Sequence, residues 1–170
     1  GISTLVGVFV LTNRLFGKKT ALLAGLLYAI SPFTVFFDRM ALVDSMLAMF
    51  GIWSLYFGVM TAQTLRLDYA MLTGFALGGA YLTKSPGIFF LGLLPTTILV
   101  GKWGNEGRFV RLGILIALWL VSWVIAVGMY NILRLGGEFH MLALRNKDYV
   151  YTIGEILKHP LDPLIPHLHD

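Results

Sequence analysis

The sequence contains no cysteine in 170 residues, which excludes a disulfide framework and any thiolate metal site. Charge is scarce as well. Asp, Glu, Lys and Arg make up 13% of the chain, against about 25% in an ordinary soluble domain. A water-soluble fold of this size must turn polar groups outward. With 57% hydrophobic residues and a mean hydropathy of +0.77, this chain has too few of them. No charged stretch or small-residue cleavage site precedes the first apolar run, so Gly1 onward does not read as a secretory signal. The chain is expected to be a piece of a longer polypeptide, with sequence missing at both ends. Its net charge of +4 is weak evidence for nucleic-acid binding, because excess Lys and Arg in a membrane protein belong to cytoplasmic loops. A polytopic membrane protein is the class that remains.

Six apolar segments follow one another: Gly1 to Leu15, Thr20 to Phe37, Met40 to Met60, Tyr69 to Thr83, Ile88 to Val100 and Leu112 to Leu133. Crossing a bilayer core of about 30 Å takes about 20 helical residues. The second, third and sixth segments meet that length. The fourth and fifth fall short, and Lys84-Ser85-Pro86-Gly87 between them breaks helical hydrogen bonding. They are expected to form a hairpin with a recessed tip, which survives only inside protein or beside a wet cavity. The expected fold is an all-α transmembrane helix bundle of about six spans over residues 1–134. Residues 135–170 then form an extracytoplasmic loop segment.

If the segments alternate, one face collects Arg14, Lys18, Lys19, Arg66, Lys102, Arg108 and Arg111. Between helices, the other face receives only Arg39 and Lys84 as basic residues, together with Asp38 and Asp44. The positive-inside rule makes the first face cytoplasmic.

Asp44 stands about a turn into an otherwise apolar helix. An ionisable group there costs a few kcal/mol to insert, so by default it faces a cavity or a partner. The structural alternative is a helix N-cap at the interface. Arg39 has the forked guanidinium suited to a phosphate, or it snorkels and pairs with Asp38 or Asp44. For Asp38 the structural role is the better reading. Lys84, at the hairpin tip, is placed to neutralise a phosphate as a compact point charge, or else snorkels from a helix end. Gly74, Gly78 and Gly79 read as a small-residue packing face, since no strand precedes them to make a nucleotide loop. Glu138 and His140 are spaced for metal contact, but two ligands alone do not make a metal site, and none is assigned.

The runs Ala21-Leu22-Leu23-Ala24-Gly25-Leu26-Leu27-Tyr28-Ala29-Ile30-Ser31-Pro32-Phe33 and Phe37-Asp38-Arg39-Met40-Ala41-Leu42-Val43-Asp44-Ser45 resemble the dolichyl-phosphate-mannose-protein mannosyltransferase-like family. So does Gly78-Gly79-Ala80-Tyr81-Leu82-Thr83-Lys84-Ser85-Pro86-Gly87, with its Leu-Thr-Lys signature. These are multi-span membrane glycosyltransferases (glycosyltransferase family 39 and bacterial relatives, including lipid A aminoarabinose transferases). The resemblance implies transfer of a sugar from a polyprenyl-phosphate donor to a glycan, lipid or protein acceptor on the exterior face of the cell membrane. Inversion at the sugar carbon would need a carboxylate base, and positive groups would stabilise the departing phosphate. The family's principal catalytic acidic residue lies in the first extracytoplasmic loop, which is expected to precede Gly1, so this piece is not expected to act alone. Asp44 is the matching second acidic position, implied to be catalytic. Arg39 and Lys84 are the basic positions implied to bind donor phosphate, and Arg145 in the tail is a further candidate. No cofactor is implied with certainty, and a divalent cation is compatible with the chemistry. Two other functions fit the residues. One is a transporter or flippase using Asp44 and Lys84 at a broken hairpin. The other is a non-catalytic membrane subunit.

Overall fold

The computed structural model of the chain describes residues 1–40, 42–101, 107–132, 135–136 and 141. Two compact units divide it, Gly1–Asn131 and Ile132–Asp170. Most of the second unit, including Glu138, His140 and Arg145 and the expected extracytoplasmic segment, lies outside the described residues.

The first unit is helical throughout its described length. Its helices are α1 (Ile2–Phe16), α2 (Lys18–Ile30), α3 (Pro32–Arg39), α4 (Val43–Thr64), α5 (Leu67–Thr83), α6 (Ile88–Leu93) and α7 (Arg108–Ile132). Short 3₁₀ turns, Ser85–Gly87 and Leu94–Val100, flank α6. α4 runs antiparallel to α5 and lies against α1, which in turn packs on α2.

Six full spans are not what forms. Among the described residues, α4 and α7 alone are long and apolar enough to cross a membrane, and α2 with α3 makes a third only if the bent pair counts as one span. The overcount has two physical sources. At 1.5 Å per residue, the 15 residues of α1 and the 17 of α5 are shorter than a bilayer core of about 30 Å. The second apolar run, which reads as one helix, is broken at Pro32 by a bend of 59°. Pro32 has no N–H for the Tyr28 carbonyl four residues back. Thr34 Oγ1 supplies that donor, 2.6 Å from the Tyr28 carbonyl oxygen, and also lies 3.0 Å from that of Ser31. The bend is thus fastened by a side chain that replaces the missing backbone bond.

The interior is made of small and hydroxylated residues while large apolar side chains face outward. Ser54, Thr61, Thr73 and Ser122 are buried, and Leu22, Leu23, Leu26, Phe109 and Val124 are exposed. Such a distribution suits lipid, which offers no gain for hiding leucine but rewards close helix approach. α5 shows how. A Cβ on Gly74 would lie 2.9 Å from the Ser122 carbonyl oxygen, and one on Gly78 would lie 2.5 Å from Met129 Sδ, both on α7. On its other side, Gly79 admits the Phe50 ring of α4. Ser122 Oγ donates to the Ala70 carbonyl at 2.7 Å, tying α7 to α5. The glycines of α5 are therefore a packing surface. Leu77, Leu94 and Ala126 form a small apolar cluster against Trp119 and Phe90.

Candidate functional site at one end of the bundle

Charged residues gather at the two ends of this bundle. At one end Arg14 Nε donates to Gln63 Oε1 at 2.7 Å, joining α1 to the last turn of α4, and Arg66 forks onto Asp68. At the other end α3 finishes, α4 begins and α5 turns back into the Ser85–Gly87 turn. The turn is tight because Gly87 lies against the Ala80 carbonyl, where a side chain would have no room, and its N–H donates to the Lys84 carbonyl at 2.8 Å.

That turn carries Lys84 to Asp44. Lys84 Nζ donates to Asp44 Oδ1 at 2.7 Å, across 40 residues of sequence. Leu42 holds the N-cap position of α4 and no side chain caps the helix, so Asp44 is not serving as its cap. Its carboxylate sits in the first turn, where the helix dipole favours negative charge. Asp44 and Lys84 are 40% and 44% exposed, so water, or an incoming anion, reaches both partners. An ion pair this open contributes about 0–1 kcal/mol, which makes it easily exchanged for another.

The pair lines a hollow of about 460 Å³. Its remaining wall includes Tyr28, Thr34, Asp38 and Ser45, with Phe33 and Phe37 on the apolar side. Tyr28 OH reaches Asp38 Oδ2 at 3.4 Å, a long contact that spans the bend between α2 and α3. Ser45 Oγ is buried beside Asp38, near enough to act on its charge but without a well-formed hydrogen bond. Two carboxylates, one ammonium and three hydroxyls thus converge on one space. It can take a group that bears negative charge at one side and hydroxyls at the other.

Of the residues singled out from sequence, Asp44 and Lys84 meet in the hollow. Arg39 is exposed at the end of α3 and stands outside the residues that line it. Arg145 lies beyond the described residues. Asp38, read from sequence as structural, lines the hollow as well. Tyr28, Thr34 and Ser45 carried no sequence signal of their own, since only the bend at Pro32 folds the end of α2 over the start of α4. No group of three or more His, Asp or Glu able to hold a metal ion occurs among the described residues.

Comparison with curated proteins and with solved structures finds no match to the chain. A family model does match, and it covers residues 1–126, which include every described residue of the hollow. The family is one of membrane glycosyltransferases, in keeping with the apolar helices and outward leucines of the bundle. By that match over most of its length, the chain belongs to the dolichyl-phosphate-mannose-protein mannosyltransferase family.

Proposed function

We propose that the hollow binds the phosphate-sugar headgroup of a polyprenyl-phosphate donor. From there a mannose-like hexose passes, with inversion, to a glycan, lipid or protein acceptor on the extracytoplasmic face of the cell membrane. The observation that carries this reading is the exposed Asp44–Lys84 pair at the mouth of a hydroxyl-lined hollow. Lys84 exchanges Asp44 for the donor phosphate and neutralises the charge that grows as the sugar–phosphate bond breaks. Asp44, released from its partner, accepts the proton of the acceptor hydroxyl as that oxygen attacks the anomeric carbon. The bonding pair leaves with the lipid phosphate, so the donor supplies its own leaving group. Arg39 and Arg145 are further candidates for the phosphate, and Asp38 and Ser45 for the sugar hydroxyls.

Transfer of labelled sugar in membranes containing the full-length protein tests the reading. Lys84→Ala is expected to raise KM for the donor by about tenfold to a hundredfold, the loss of a charge-assisted contact of about 1.5–3 kcal/mol. Unchanged KM and kcat would remove Lys84 from the site. Uptake of a labelled solute by the wild type, lost in the same variant without any sugar transfer, would favour the transporter reading.

A further inference from the structure

We infer that Phe33 and Phe37 form a stacking wall for the transferred sugar, selecting a pyranose whose hydrogens at C3 and C5 are axial. The assignment rests on the proposed sugar-phosphate donor. α3 carries three phenylalanines close together, Phe33, Phe36 and Phe37. Phe36 is exposed and lies outside the residues that line the hollow, as suits a ring at a membrane interface. Phe33 and Phe37, one helical turn apart, both line it. Their ring centroids are 4.4 Å apart and the planes are tilted by 41°, so together they make an apolar surface wider than either ring alone. Phe36 meets Phe37 edge-on at 5.5 Å and steadies its orientation.

The hollow therefore has two unlike linings: aromatic rings, and the Asp44–Lys84 pair with the hydroxyls of Tyr28, Thr34 and Ser45. A pyranose divides in the same way. Its rim carries hydroxyls, while in mannose the face with axial hydrogens at C3 and C5 carries none. Those hydrogens are slightly positive because their carbons bear oxygen, and the face of an aromatic ring is negative. A phosphate alone would leave the rings unused.

The selection falls at one carbon. Altrose, the 3-epimer of mannose, places an axial hydroxyl on the face that would stack. Pressed against the rings, that hydroxyl would lose its water and find no hydrogen-bond partner, which is costly. The axial 2-hydroxyl of mannose projects from the other face, so the wall reads C3 and leaves C2 to the polar lining.

The test uses the full-length protein in membrane vesicles with synthetic polyprenyl phosphates carrying mannose or altrose. Wild type is expected to favour the mannosyl donor by about tenfold or more in kcat/KM. Phe37→Leu keeps the apolar character that suits a bilayer and removes the flat face. It is expected to lower kcat/KM for the mannosyl donor by about fivefold to tenfold. With the altrosyl donor it should change kcat/KM by no more than about threefold, so the preference collapses. Phe37→Tyr should keep the preference. Equal use of both donors by wild type, or equal loss with both in Phe37→Leu, would overturn the wall and leave the activity standing. A second measurement needs neither a variant nor turnover. With the aromatic protons of the solubilised full-length protein saturated in an NMR experiment, saturation should reach excess mannose 1-phosphate most strongly at H3 and H5. An even spread, a maximum at H4 on the opposite face, or no saturation would overturn the wall. A maximum at H3 and H5 without sugar transfer from any polyprenyl phosphate would uphold the wall and refute the activity.

Discussion

Thr34 shows how much of the site depends on one hydroxyl. It donates to the Tyr28 carbonyl once Pro32 has withdrawn its own N–H, and Tyr28 and Asp38 face the hollow from either side of that bend. Thr34→Val keeps the shape and removes the donor. It should cost about 1–3 kcal/mol, the penalty of a partly buried carbonyl left unpaired. The measurement is thermal unfolding in detergent, and transfer activity should fall with it, while Thr34→Ser should retain both. A hydroxyl's role of this kind was not legible in the sequence, where threonine in an apolar run signals nothing. The same limit applied to Asp38. Asp38 and Arg39 are neighbours in sequence, yet Asp38 lines the hollow and Arg39 does not.

Among the elements, α5 is the hinge of the bundle, facing α4 on one side and α7 on the other. Its glycines were read correctly as a packing face because small residues spaced four apart fall on one side of a helix. The energetic consequence follows from what stands opposite. Gly78 faces a flexible Met129 side chain, which can give way. Gly74 faces the Ser122 carbonyl oxygen and the branched Cβ of Ile125, at 2.9 and 2.8 Å, which cannot. Gly74→Ala should therefore destabilise the protein by about 1–3 kcal/mol, as overpacking does, and Gly78→Ala by less. Unfolding curves of the two variants decide it, and equal effects would contradict the ordering. Element boundaries were largely visible in the apolar runs and in the breakers Lys84-Ser85-Pro86-Gly87, and a 3₁₀ turn, Ser85–Gly87, formed where they stand. The count of spans was not visible. The shortness of α5 was legible, but hydropathy does not distinguish a helix that crosses from one that bends at Pro32.

At the scale of the whole molecule, the family was legible from the order of three short runs, and the family match over residues 1–126 agrees with it. What no run revealed was that Asp44 and Lys84 touch, because that depends on α4 and α5 packing as antiparallel neighbours. The proposed sidedness draws on the same arrangement. Arg14, Lys18, Lys19 and Arg66 lie at the end opposite the hollow, which the positive-inside rule assigns to the cytoplasm. No cysteine within these 170 residues competes with an introduced thiol. Met40→Cys, beside the hollow, should react with an impermeant maleimide added outside intact cells, and Lys18→Cys only after permeabilisation. The reverse pattern would turn the proposed active side inward.

The central claim is that Asp44 is the base of a sugar transfer supported by Lys84, and the most direct measurement is the turnover of Asp44→Asn at saturating donor. The substitution keeps the size and a hydrogen-bonding oxygen but cannot take up the acceptor proton. Turnover should fall by about 10²–10⁴-fold, the share a positioned general base supplies, while protein level and donor binding stay at those of the wild type. Turnover within about threefold of wild type would contradict the account, because no general base can be neutralised at so little loss.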